Sequence, residues 1–176
     1  MGESNLEEVR ARFRPDKIAT LFVGESAPHS GKFFYKEDSN LYRHMRKAFG
    51  AGDDFLAKFK SGCFYLDDLA LEPINQIKAS AARREARLSA VPSFAKRLIE
   101  YQPEAMVVLM RAIEPMVTTA MQQAQLSVPF PVVTFPIHHK NVIRFHLEME
   151  KVIPQLPTGN CLVRNAAVNR EWKSEL

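Results

Sequence analysis

Short, almost wholly apolar runs alternate along this chain with stretches in which apolar residues recur every three or four positions. Apolar runs of this length bounded by breakers predict buried strands, and the three-to-four period predicts amphipathic helices. The first run, 18–23, ends abruptly at Gly24 and predicts a strand. Ser39 is placed to cap a helix whose Leu41, Met45, Ala48 and Phe49 share a face, ended by Gly50-Ala51-Gly52. Asp53 would cap a short second helix with Phe55, Leu56 and Phe59 inward, broken at Ser61-Gly62. The run 63–69 predicts a second strand with Asp67-Asp68 as a polar tail, and the polar, basic stretch 72–90 predicts a long connection, partly helical around 79–88. Phe94, Leu98 and Tyr101 mark a helix terminated by Pro103, and 105–110, apolar at every position, predicts a third strand buried on both faces. A helix over 114–125 has the clearest periodicity, with Pro115 in its first turn. A fourth strand is expected over 131–135, then a helix capped by Asn141 with Val142, Phe145, Met149 and Val152 inward, stopped by Pro154.

Strands separated by helices need right-handed crossovers and form a parallel sheet covered on both faces. The expected fold is therefore α/β: one three-layer α/β/α domain over residues 1–176, with a central four-stranded parallel sheet. Its core spans 17–154, followed by an irregular tail over 155–176. In such a sheet a ligand sits outside the carboxyl ends of the strands, where strand order reverses. Three loops should meet there, 24–35, 67–73 and 136–141, and all three are rich in functional side chains.

Composition narrows the class. With 46% hydrophobic and 25% charged residues in 176, the chain is an ordinary globular domain able to bury a full core. No apolar stretch is long enough to span a bilayer, and the charged N-terminus does not read as a signal peptide. Two distant cysteines, Cys63 and Cys161, exclude a four-thiolate metal site built from this chain alone and point to a reducing, cytoplasmic setting. The net charge of +4 permits contact with nucleic-acid phosphates, and Arg83, Arg84 and Arg87 form a basic group opposed only by Glu85.

The loop chemistry is specific to residue types. Gly24 allows a sharp turn and close approach of a ligand. Glu25 is a candidate general base or polar-edge contact, and Ser26 a candidate donor to an oxyanion or phosphate. The stretch is not a nucleophile elbow, because Ala27-Pro28 follows the serine. Phe34 or Tyr35 offers a stacking face for a planar ligand. Asp67 and Asp68 are neighbours in a strand and point to opposite faces, so at most one faces the ligand. His138 and His139 are candidates for proton transfer or leaving-group stabilisation, with spacing unlike a helical zinc pair. No metal or other cofactor is expected.

Gly24-Glu25 with Pro28 after the first strand, the polar end of the second, and Phe135-Pro136 with His138 and His139 after the last together resemble the uracil-DNA glycosylase superfamily. The resemblance covers roughly 17–154 and points away from the iron–sulfur branch, given two cysteines. It implies that Glu25 or Ser26 positions water and that Phe34 or Tyr35 stacks on an extruded base. Asp67 or Asp68 then stands where a base-reading Asn is common, and His138 or His139 stabilises the departing base anion. Gly24, Pro28 and His29 would complete the substrate site, and Arg83, Arg84 and Arg87 would meet DNA. Extrusion of the base is physically required, since its reactive atom is inaccessible in a stacked duplex. The expected function is thus a divergent DNA glycosylase-like protein that binds a nucleobase and hydrolyses an N-glycosidic bond. The alternatives are a non-catalytic nucleic-acid or nucleotide binding module on the same fold, and a small-molecule serine hydrolase using Ser26 with His29 or His138.

Overall fold

The computed structural model describes residues 6–159. In chain order its elements are α1 (Leu6–Arg12), β1 (Thr20–Ser26), α2 (Asn40–Ala48), α3 (Phe55–Ser61), β2 (Phe64–Ala70), α4 (Ser80–Tyr101), β3 (Ala105–Val108), α5 (Glu114–Gln123) and α6 (His139–Val152). The three strands are parallel in the order β2-β1-β3. The path runs from β1 to one side, then crosses back through α4 to β3 on the other, so the reversal lies beside β1. Right-handed crossovers in opposite directions place helices on opposite faces. Accordingly α4 packs on α5 and β2, while α3 packs on β2 and α2 on α6.

The four-stranded expectation is met only by a rudiment. Segment 129–133 runs beside β3, with one parallel bridge between Val108 and Val132. Met106 and Val108 donate to the carbonyls of Pro129 and Pro131, and Val133 donates to Val108. Pro129 and Pro131 have no N–H to return, so a regular ladder cannot form there.

Elsewhere the boundaries shift for identifiable reasons. β1 runs three residues past its apolar stretch, because the ladder continues through Gly24 opposite Asp68 and Ser26 opposite Ala70. Residues 80–101 form one continuous helix rather than a connection and a second helix, with Pro92 exposed inside it. The polar face that reads as a loop is the solvent face of α4. Ser39 caps α2, accepting from the Tyr42 N–H at 3.1 Å. Asp54, not Asp53, stands at the N-terminus of α3, and α6 begins at His139, leaving Asn141 inside its first turn. The helix α1 falls in a segment whose charges hide it. Of the tail expected to be irregular over 155–176, residues 156–159 carry no regular element and Pro157 accepts from the Thr20 hydroxyl at 2.9 Å, while 160–176 lie outside the described residues.

The core on the α2–α3 side is aromatic. Phe22 of β1 meets Phe49, Phe59 and Phe64 with ring centroids 5.3–6.0 Å apart, and Phe55 extends the cluster through Phe49 and Phe59. Tilted and edge-on contacts of this kind add about 0.5–1.5 kcal/mol each beyond their burial. Tyr35 seals the open edge of β2. Its hydroxyl donates to the Leu66 carbonyl at 2.9 Å and accepts from the Leu66 N–H at 2.7 Å. An edge strand otherwise presents unpaired backbone groups.

Between α2 and α6, His44 Nδ1 and His146 Nε2 lie 3.2 Å apart. Burial lowers both pKa values, with Lys47 nearby adding to the effect on each and Arg43 and the partner imidazole on His44. A lowered imidazole pKa means the unfolded chain binds protons first as pH falls below the ordinary 6.5. Stability should therefore drop on acidification through that range. Urea titrations from pH 7.5 to 5.5 should show this fall, and H146Q should flatten it.

Candidate functional site

A cavity of about 610 Å³ opens at the carboxyl ends of the strands, beside the strand-order reversal. It is walled by Gly24, Glu25, Ser26 and Pro28 at the end of β1, Phe34, and Asp68 of β2. Arg83 and Arg87 of α4, Arg111 after β3, Thr134 and Phe135, and Asn141 of α6 complete it. The expected convergence of the first and last loops and the end of β2 is present, joined by the N-terminal half of α4 and the turn after β3.

Glu25 is nearly buried, and α4 supplies the reason that a carboxylate can sit there. Arg83 grips it with both Nε, at 2.9 Å, and Nη2, while Arg87 Nε donates at 2.7 Å. Burial pushes the Glu25 carboxyl up, but the two arginines outweigh it and hold the group below the usual carboxylate range. An ionised carboxylate so held is a weak base. Ser26 accepts from the Ile74 N–H at 3.2 Å, which leaves its own O–H to donate into the cavity.

The two aspartates part as strand alternation requires, and a single arginine from α1 bridges them. Arg10 Nη1 bonds Asp67, and its Nη2 bonds Asp68 Oδ2 at 2.8 Å. Asp67 is wholly buried away from the cavity, held also by Arg97 and by the Tyr101 hydroxyl at 3.0 Å. Asp68 faces the cavity. Burial pushes its carboxyl up, and Arg10 and Arg97 offset part of that rise. Its Oδ1 lies against Gly24, where any Cβ would overlap it. That contact, more than a turn, is what demands glycine at position 24, which lies inside the strand.

Of the two candidate stacking aromatics, Phe34 lines the cavity, and Tyr35 is committed to the edge of β2. Burial raises the Tyr35 hydroxyl well above its ordinary pKa, so it stays a neutral phenol. His29 is exposed, its backbone N–H donating 2.9 Å to Asn75 Oδ1. His138 and His139 are exposed at the start of α6 and do not line the cavity. Among the described residues, no histidine hydrogen-bonds Ser26, as a serine hydrolase would need. Arg83 and Arg87 are spent on Glu25, whereas Arg84 is exposed and outside the cavity.

No family model matches the chain. No curated protein matches it either. Among the described residues there is no group of three or more His, Cys, Asp or Glu that could hold a metal ion. No helix among them is long and apolar enough to cross a membrane.

Several residues that line the cavity or fix its loops carry no signal in the linear sequence. Asn40 fixes the last loop by donating from Nδ2 to the Pro136 carbonyl at 2.7 Å. Glu148 of α6 gathers the Thr134 N–H at 2.5 Å, Arg144 at 2.9 Å and Arg111 at 3.1 Å, tying the loop after 133 to α6. Asn141 reaches the cavity from the first turn of α6, its side chain making no hydrogen bond among the described residues. The only sequence hint was its place near a helix start, which reads as a cap.

Proposed function

We propose that this cavity binds a nucleobase, carried by a nucleotide or by a nucleic-acid strand. One observation carries the reading: Gly24, Phe34 and Asp68, the residues with which the glycosylase resemblance would surround a base, line one cavity at the strand reversal. Its volume lies in the range of ligand sites, about 300–1,000 Å³. Phe34, 3% exposed, lines the cavity from the aromatic core, and Asp68, Asn141 and Ser26 supply polar groups for the edges of a planar ring.

Recognition is the primary role in this proposal. Glu25 is neutralised by Arg83 and Arg87, and the histidines at the last loop stand outside the cavity. Hydrolysis of an N-glycosidic bond is a second reading, favoured by the donor hydroxyl that Ser26 keeps at the cavity wall. In it Ser26 positions water, and Phe34 and Asp68 hold the extruded base.

Calorimetric or fluorescence titration with nucleosides and with single- and double-stranded DNA tests the proposal. Saturable binding is expected, weakened about 5- to 150-fold in folded F34L, which keeps most of the core volume and removes the ring, the equivalent of one lost stacking contact of about 1–3 kcal/mol. Absence of binding by any base-containing ligand overturns it. A gel assay on DNA carrying uracil, hypoxanthine, xanthine or mismatched thymine separates the two readings. Abasic product supports hydrolysis, and binding without product leaves recognition alone.

A further inference from the structure

The family resemblance places an amide where this chain has an aspartate, and the difference is chemical. An amide both donates and accepts; an ionised carboxylate only accepts. Asp68 is 5% exposed, yet it forms part of the cavity wall. Its Oδ2 is taken by Arg10 at 2.8 Å, and its Oδ1 has no hydrogen-bond partner among the described residues. Gly24 leaves room for that oxygen and nothing more. Arg10, itself buried, donates to Asp68 and offsets part of the burial that disfavours its charge. An unpaired acceptor in a largely buried wall demands a donor from whatever fills the cavity, and repels a carbonyl.

Resting on the nucleobase reading above, we propose that Asp68 selects a base whose edge carries adjacent N–H donors, as the 2-amino-6-oxopurine ring of guanine does. Guanine presents N1–H beside its 2-amino group, and the lone pairs of Oδ1, with those Oδ2 keeps beside Arg10, can accept both. Uracil presents a single N3–H between two carbonyls, and each carbonyl would face the carboxylate. Xanthine replaces the 2-amino donor with a carbonyl, and hypoxanthine removes it. The chain's departure from an amide thus becomes a change of ligand class rather than a damaged site.

Equilibrium titration of the full chain with guanosine, inosine, xanthosine and uridine tests this directly. Guanosine should bind at least tenfold more tightly than inosine, with xanthosine and uridine weaker still. The variant D68N keeps the shape and supplies a donor, so it should lose at least tenfold for guanosine and gain for xanthosine. If D68N does not fold, the wild-type ranking decides by itself. Equal binding of guanosine and inosine, or preference of the wild type for uridine or xanthosine, overturns the assignment and leaves the nucleobase reading standing. An unaltered ranking in folded D68N also overturns it. If no nucleoside or nucleic acid binds, the nucleobase reading falls and this inference falls with it.

Discussion

Replacing Arg10 by alanine should destabilise the protein by about 3–5 kcal/mol, the cost of removing one partner from a buried ion pair. Arg10 is 1% exposed and stands against two carboxylates, Asp67 at 0% and Asp68 at 5%. Without it Asp67 keeps Arg97 and Tyr101, whereas Asp68 Oδ2 loses its hydrogen bond. A domain of this size has about 5–15 kcal/mol of total stability, so the loss is a large share of it. Thermal unfolding should move down by roughly 10 °C, at about 2–4 °C per kcal/mol for this length. The guanidinium also lies 5.3 Å from the Phe33 ring centroid, so some of the loss is packing. R10M separates the two: it restores apolar volume but no charge, and should recover only a minor part. A loss below 1 kcal/mol in R10A would show that α1 is not held to β2 by this network. Asp68 adds a signature in pH. Its folded pKa is raised, so its ionisation costs stability above the unfolded carboxylate value, and acid relieves that cost. R10A should steepen the relief, because the remaining counter-charge is weaker.

Replacing Glu25 by alanine should cost a comparable amount, about 3–5 kcal/mol, and should alter the cavity as well. Among the described residues Arg83 and Arg87 both pair with Glu25, which pins the N-terminal half of α4 to the end of β1. Its removal leaves two guanidiniums, 27% and 14% exposed by side chain, at the wall of the cavity. The variant should therefore bind anions such as inorganic phosphate that the wild type does not, readable by titration. E25Q keeps a hydrogen-bond acceptor and should lie between the two in stability. The folded pKa of Glu25 is depressed, so its contribution is present above the unfolded value of 4.5 and is lost as pH falls through the folded value. Acid denaturation below pH 4.5 should accordingly be shallower in E25A. Unchanged stability together with an unchanged acid limb would mean that Arg83 and Arg87 are not tied to β1 through Glu25.

Much of the alternation was legible because burial imposes periodicity. Continuous apolar runs located all three strands, and the three-to-four period located α2, α3, α5 and α6. Legibility failed where a polar pattern hid an element. In α1 the acidic first turn and basic last turn look like a solvated tail, although Arg10 is buried against the aspartates of β2 and Leu6 and Val9 pack on the core. In α4 the first half buries little, so its periodicity is faint although the backbone is helical throughout. The fourth strand failed for the opposite reason. Its apolar pattern is sound, but two prolines remove the donors that a ladder needs.

The linear sequence by itself determined the parallel α/β plan, the position of the polar strand ends, and the rule that Asp67 and Asp68 face apart. Those follow from burial and from backbone geometry, which act within a few residues. Only the tertiary structure decided which of these groups are spent and which remain free. Arginines 58 and 62 residues away neutralise Glu25, and an arginine 58 residues away takes one oxygen of Asp68 and leaves the other at the cavity wall. Tyr35 went to the edge of β2, and Phe34 to the cavity. The stretch after the first strand carries a carboxylate, a hydroxyl and aromatics in either case. Its chemistry depends on partners that reach it across the fold, and pairing between distant residues leaves no local period to read.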